Sequence, residues 1–179
     1  MKSIRLLTVF LISSSFLMTS CSYRNGGQDY AANGYSSQPR NYAERLPQTI
    51  ASKSKLIVVD PTVHAWGAYS DGQLVKAGPA TAGGNWCPDI NRSCRTPSGQ
   101  YRIQSLGSAD CKSSIYPKPN GGAPMPYCMF FNGGRALHGS YEVVEANVSH
   151  GCVRMEVSDA EWVRHNFAQI GTRVVVKPY

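Results

Sequence analysis

The spacing of turn signals limits the fold more than any other feature of this chain. Asp71-Gly72, Thr96-Pro97-Ser98-Gly99 and Asn132-Gly133-Gly134 interrupt short apolar or alternating runs. Glycine, asparagine and aspartate tolerate the positive φ of tight hairpins, so such clusters between strand-like runs predict hairpins. KLIVVD at 55–60 reads as a buried strand, and Thr62–Ser70 and Gln73–Ala80 flank Asp71-Gly72. GQYRIQSL at 99–106 alternates, Met125–Phe131 and Arg135–His138 flank Asn132-Gly133-Gly134, and TRVVVK at 172–177 closes the chain. With no helix between the first six of these runs, they predict an antiparallel, mostly β domain. One helix is predicted late. Ser158 and Glu161 have capping-box spacing, Val163, Phe167 and Ile170 share one face, and Gly171 follows as a C-terminal cap. The expected fold class is mostly β: β-sandwich-like, with one short late helix.

The first fifty residues have a different character. Lys2 and Arg5 precede an apolar stretch, Leu6–Met18, which contains three serines and is too short for a membrane span. Thr19 and Ser20 then lead into Cys21, an arrangement that resembles a bacterial lipoprotein cleavage site. Residues 1–20 are therefore expected to be a signal peptide, with Cys21 as the lipidated first residue of the mature chain. Residues 21–50, rich in Ser, Tyr, Asn, Gly, Gln and Arg, are expected to form a flexible tether. A coil of this size spans about 30 Å. Residues 51–179 are left as one catalytic-sized domain. Ser22, not aspartate, follows Cys21. By the sorting tendency of Gram-negative lipoproteins, that points to the outer membrane, facing the periplasm. Losing Lys2 and Arg5 lowers the formal net charge from +7 to +5. That balance favours anionic surroundings such as wall polymer. Without a Lys/Arg run, an exported chain gives no reason to expect nucleic acid.

Six cysteines are present: Cys21, Cys87, Cys94, Cys111, Cys128 and Cys152. An oxidising compartment favours pairing. With Cys21 lipidated, five remain and one must stay free. No C-x-x-C or other paired-ligand spacing occurs, so no metal site is expected. Cys87, Cys94, Cys111 and Cys128 bracket the glycine-rich region and allow three pairings. Cys87–Cys94 and Cys111–Cys128 are favoured, because WCPDINRSC closes a short loop and the second pair ties the region to a strand.

Cys152 is then the odd thiol. It lies in SHGCVRM, at 149–155. A nucleophilic thiol needs a base or a positive neighbour. In an extended segment His150, Cys152 and Arg154 share a side, and His138 lies 14 residues upstream on a strand that a loop can return to it. Gly151 lets backbone N–H groups approach a substrate oxygen.

These residues resemble a known signature. HGS at 138–140 followed by SHGCVRM at 149–155, preceded by TPSGQYRI at 96–103 and MPYCMFF at 125–131, is similar to the L,D-transpeptidase catalytic (YkuD-like) domain over roughly 55–179. The eight-residue loop YEVVEANV is shorter than in long-loop members. The resemblance implies that Cys152 attacks the bond between the diamino acid and D-alanine of a peptidoglycan stem, with His138 as general base and acid. His150 and Ser149 would shape the pocket, and the Gly151 and Cys152 N–H groups would form an oxyanion hole. Arg154 would hold a stem carboxylate and Tyr127 would line the donor pocket. Gly139 would help position His138, with a backbone carbonyl orienting the imidazole. The resulting thioester passes to a stem amine (a 3→3 cross-link), to a protein amine or to water, the last giving an L,D-carboxypeptidase or endopeptidase. A non-catalytic wall-binding lipoprotein is the reading from another class. It leaves the presence of both Cys152 and His138 without a purpose. No cofactor is implied, and carbapenem-type inhibitors are expected to acylate the cysteine.

Replacing Cys21 with alanine is expected to move the protein from the membrane fraction to the soluble fraction, leaving the isolated domain's activity intact. Unchanged membrane retention on fractionation would contradict the anchor.

Overall fold

A computed structural model describes residues 41–179. The expected leader, Cys21 and most of the expected tether lie outside the described residues. Among the described residues no helix is long and apolar enough to cross a membrane.

Among the described residues nine strands form two sheets. The first sheet contains β1 (Leu56–Asp60), β2 (Ala65–Ser70), β3 (Gln73–Pro79), β4 (Gly99–Arg102) and β9 (Arg173–Val176), in the order β3-β2-β1-β9-β4. The second contains β5 (Ser105–Leu106), β6 (Met129–Asn132), β7 (Arg135–Ser140) and β8 (Val153–Glu156), in that order. Ile57, Val59, Trp66, Val174 and Val176 from the first sheet meet Met129, Phe131, Leu137, Val153 and Met155 from the second in one core. Burying a large apolar side chain in such a layer contributes roughly 1.5–3 kcal/mol. The mostly β, two-layer reading with a short late helix therefore holds.

Both hairpins form. Ser70 pairs with Gln73 around Asp71 (φ 49°) and Gly72 (φ 81°), the two positive φ values of a type I′ turn. Asn132 pairs with Arg135 around Gly133-Gly134. The unbroken apolar run of β1 reflects burial on both faces. Ile57 and Val59 enter the main core, while Leu56 and Val58 pack with Tyr69 on the other side.

Several expectations are corrected. The sheets are mixed: β1 runs parallel to β9, and β7 runs parallel to β8. GQYRIQSL is not one strand. Ile103 donates its N–H to Thr172 O, just before β9 of the first sheet, and Gln104 donates the next one to Phe130 O in the second, so the chain turns a corner between β4 and β5. The helix α1 (Val157–Trp162) starts directly after β8, with Glu156 at its N-cap and no side-chain cap. Ser158 thus lies inside the first turn, and the capping box does not form. Val163–Phe167 is a π turn, Ile170 is exposed, and Gly171 donates its N–H to Ile103 O. The segment 41–50, assigned above to the tether, packs on the domain. Asn41 caps a 3₁₀ turn over Tyr42–Arg45, Leu46 is buried, Arg45 pairs with Glu145 at 2.8 Å, and Tyr69 donates to Pro47 O.

Gly83 sets the closest backbone approach near the second sheet. A Cβ there would stand 2.1 Å from Cys94 O and 2.6 Å from Thr96 N, neither of which can swing aside. Gly83→Ala is therefore expected to lower unfolding free energy by about 1–3 kcal/mol, seen as an earlier denaturation midpoint. An unchanged midpoint would show that the 94–96 segment is free to move.

Candidate active site

The site is built on the parallel pair β7–β8. Leu137 stands opposite Val153 and His138 opposite Arg154. Side chains alternate along a strand, so Ala136 and His138 share a face with Cys152 and Arg154. Cys152 immediately precedes β8, which sets it diagonally across from His138. Both line a cleft of about 570 Å³.

Backbone ties hold the turn that carries Cys152. Ser149 donates its N–H to Ala82 O and accepts from Gly84 N–H. The Ser149 hydroxyl donates to Cys152 O and accepts from Gly151 N–H at 3.1 Å. Thr96, from the TPSG element, donates through its hydroxyl to Gly151 O at 3.0 Å and accepts from Gly83 N–H at 2.9 Å. Gly151 itself has φ 113°, a conformation that favours glycine.

His138 is buried, and its Nδ1 lies 2.8 Å from Gly139 O. A carbonyl only accepts, so Nδ1 carries the proton and Nε2 is the free acceptor. Burial pushes the imidazole down to about 4, with the Gly139 bond opposing and the Arg154 charge reinforcing the shift. Burial also pushes the Cys152 thiol up, against the Ala136 backbone N–H and the charges of Arg135 and Arg154. At neutral pH the resting pair is therefore a thiol and a neutral imidazole. The thiol lies 3.8 Å from Gly134 O.

Both favoured disulfides are present, Cys87–Cys94 and Cys111–Cys128, and Cys152 is the free cysteine among the described residues. Each bridged loop supplies one wall of the cleft: Arg92 from the first, and Lys112 to Tyr116 from the second. The two loops meet on His150. Asp89 Oδ2 lies 2.8 Å from His150 Nε2, and the Tyr116 ring lies 4.4 Å from the imidazole. Cys87, Asp89 and His150 cluster closely enough to suggest a metal. Cys87 is bonded to Cys94, however, and has no thiolate to offer.

Arg154 lines the cleft, with Nη1 3.5 Å from Glu142 Oε2. Two expected roles change. Gly151 N–H is committed to Ser149, so it is not an open oxyanion donor. Tyr127 does not line the cleft. Its backbone has φ 59°, its hydroxyl donates to Glu161 at 2.8 Å, and its ring meets His165 edge-on. Gly139 donates its N–H to Pro126 O, which fixes the end of β7 beside His138. Asp89, Tyr116 and Arg135 were not singled out by sequence reasoning. WCPDINRSC, which contains Asp89, carried the only signal, through its disulfide.

Residues 54–176 match the L,D-transpeptidase catalytic domain (YkuD). No curated protein sequence matches significantly. An L,D-transpeptidase from Xylanimonas cellulosilytica is 26% identical over 78% of this chain and 70% of its own, with a TM-score of 0.62. L,D-transpeptidase 3 from Mycobacterium tuberculosis, solved with a faropenem-derived adduct, is 23% identical over 70% of this chain and 60% of its own, at 0.56. A further L,D-transpeptidase, solved with imipenem, is 19% identical over 69% of this chain and 59% of its own, at 0.58. The chain thus spans less than two thirds of the last two. This chain belongs to the L,D-transpeptidase catalytic domain family.

The neutral resting pair makes a pH prediction. Only thiolate reacts with iodoacetamide, so alkylation of Cys152 is expected to keep accelerating beyond the ordinary thiol value of 9.0. Any activity that needs neutral His138 is expected to fall only as pH drops through about 4. An alkylation rate already level at pH 7 would reveal a preformed thiolate–imidazolium pair.

Proposed function

We propose that this chain is a peptidoglycan L,D-transpeptidase in which Cys152 is the nucleophile and His138 the general base and acid. The observation that carries this reading is the placement of one free thiol and one neutral buried imidazole on the same face of a parallel strand pair, at the wall of a cleft. Cys152 Sγ attacks the carbonyl carbon of the diamino acid–D-alanine bond as its proton passes to His138 Nε2. The C–N bond then breaks, and His138 returns the proton to the departing amine, leaving a thioester. An acceptor amine attacks the thioester and loses a proton to His138, the C–S bond breaks, and His138 passes that proton to the departing sulfur, which restores the Cys152 thiol. Because both groups rest neutral, proton transfer accompanies attack and does not precede it. Arg154 holds a stem carboxylate by a charge-assisted bond. Cys152 N–H serves as an oxyanion donor, while Gly151 holds the turn.

The cellular setting belongs to the same proposal. The chain is exported, lipidated at Cys21 and held at a membrane facing the periplasm, where it works on the wall within reach of its tether. Penem and carbapenem β-lactams acylate Cys152. The faropenem-derived and imipenem complexes of structurally similar L,D-transpeptidases support that expectation.

Incubation with purified tetrapeptide stems, followed by mass spectrometry of the products, tests the reaction. Cross-linked dimer is expected from the parent, and none from Cys152→Ala. His138→Gln is expected to slow the release of D-alanine by about 10²–10⁴-fold, the range of general-base catalysis. Shortened monomers alone would make the protein a hydrolase. Activity in Cys152→Ala would overturn the mechanism.

A further inference from the structure

Arg135 opens β7, directly after the Gly133-Gly134 turn. Among the described residues its Nε has no hydrogen-bond partner and is shut off from solvent, while the residue as a whole is half-buried and lines the cleft. An unpaired buried donor on a charged group is unfavourable, so the guanidinium is left without full satisfaction inside the protein. The side chain lies against the turn that carries Cys152: a Cβ on Gly151 would stand 3.4 Å from Arg135 Nε. Among the described residues no carboxylate pairs with Arg135, whereas Arg154 has Glu142.

Arg135 also lines two cavities. One is the cleft containing Cys152 and His138. The other is a recess of about 440 Å³, lined by Ser93, Arg95, Thr96, Pro97, Ser98 and Tyr179, with no acidic side chain. Along the β7–β8 axis the order is Arg135 beside Gly151, then Cys152, then His138 opposite Arg154. Both arginines line the cleft that contains the sulfur. Arg135 and His138 are three residues apart on one strand, which is about 10 Å at about 3.3 Å per residue.

Resting on the reading of Cys152 as the acylated nucleophile, we propose that Arg135 binds the carboxylate of the residue beyond the scissile bond, so that the cleft selects donors with a free C-terminus. A tetrapeptide stem carries two carboxylates near the reacting carbonyl. The terminal one is separated from the scissile carbon only by the leaving nitrogen and one Cα. The other sits at the far end of the diamino acid side chain. Arg135 lies against the Gly151 backbone, the residue next to Cys152, which matches it to the nearer carboxylate. Arg154 serves the farther one.

The test compares three stems: both carboxylates free, the terminal carboxylate amidated, and the diamino acid side-chain carboxylate amidated. Release of the terminal residue is measured as kcat/KM for the parent, Arg135→Gln and Arg135→Lys. The parent is expected to lose about 10- to 100-fold on the terminal amide, the scale of one charge-assisted bond. Arg135→Gln is expected to lose as much on the free stem and to stop distinguishing it from the terminal amide, while still rejecting the side-chain amide. Arg135→Lys keeps the charge without the fork and should fall between them, which preserves the test if the glutamine variant does not fold. The proposal is overturned if Arg135→Gln slows both stems equally and keeps the parent's ratio, or if the lost discrimination is against the side-chain amide. A parent that acts on none of the stems would sink the transpeptidase reading and this inference with it.

Discussion

The parallel pairing of β7 with β8 is the constraint on which the site depends. An antiparallel return from His138 would reverse the order of Cys152 and Arg154 along the neighbouring strand. A parallel pair needs a crossover of about a dozen residues or more. Here residues 141–152 make that connection without a helix, so their backbone groups must find partners elsewhere. They find them on the segment that follows β3: Val144 on the Thr81 hydroxyl and Ser149 on Ala82 and Gly84, with Arg154 of β8 tied to Thr81 just beyond. The crossover is therefore held from outside, and Cys152 is held with it.

Two further layers rest on this arrangement. The core beneath β7 and β8, with Leu137, Val153 and Met155 fully buried, keeps the strand pair rigid and excludes water from one side of His138. The disulfide-bonded loops close the other side, joined through Asp89, His150 and Tyr116. Burial raises the thiol and lowers the imidazole for the same reason: each charged form would lose its hydration. The electrostatics of the site thus follow from its packing, not from a dedicated ion pair.

Local features were legible in the sequence because short-range chemistry decides them. Asp71-Gly72 specified a hairpin because few residue pairs accept two positive φ values. Short loop closure favoured the Cys87–Cys94 bridge. SHGCVRM and its upstream histidine pointed to the strand pair through their resemblance to a family. Long-range decisions were not legible. Nothing in YEVVEANV announces a parallel return, and the partner change at Ile103–Gln104 depends on Thr172 and Phe130, both far along the chain. The capping-box spacing at Ser158 was outweighed by β8 running straight into α1. Tyr127 looked like a strand residue facing the cleft, but its positive φ and Glu161 turn it away. Arg135 carried no signal, because its meaning comes from the Gly151 backbone and two cavities that only the folded chain brings together.

We propose Cys152 as the acylated nucleophile of this site. Intact-protein and peptide-level mass spectrometry after incubation with imipenem tests it most directly. One drug adduct per chain is expected, mapped to the peptide containing Cys152, with no adduct in Cys152→Ala. An adduct on another residue, or one that forms as readily without Cys152, would contradict it.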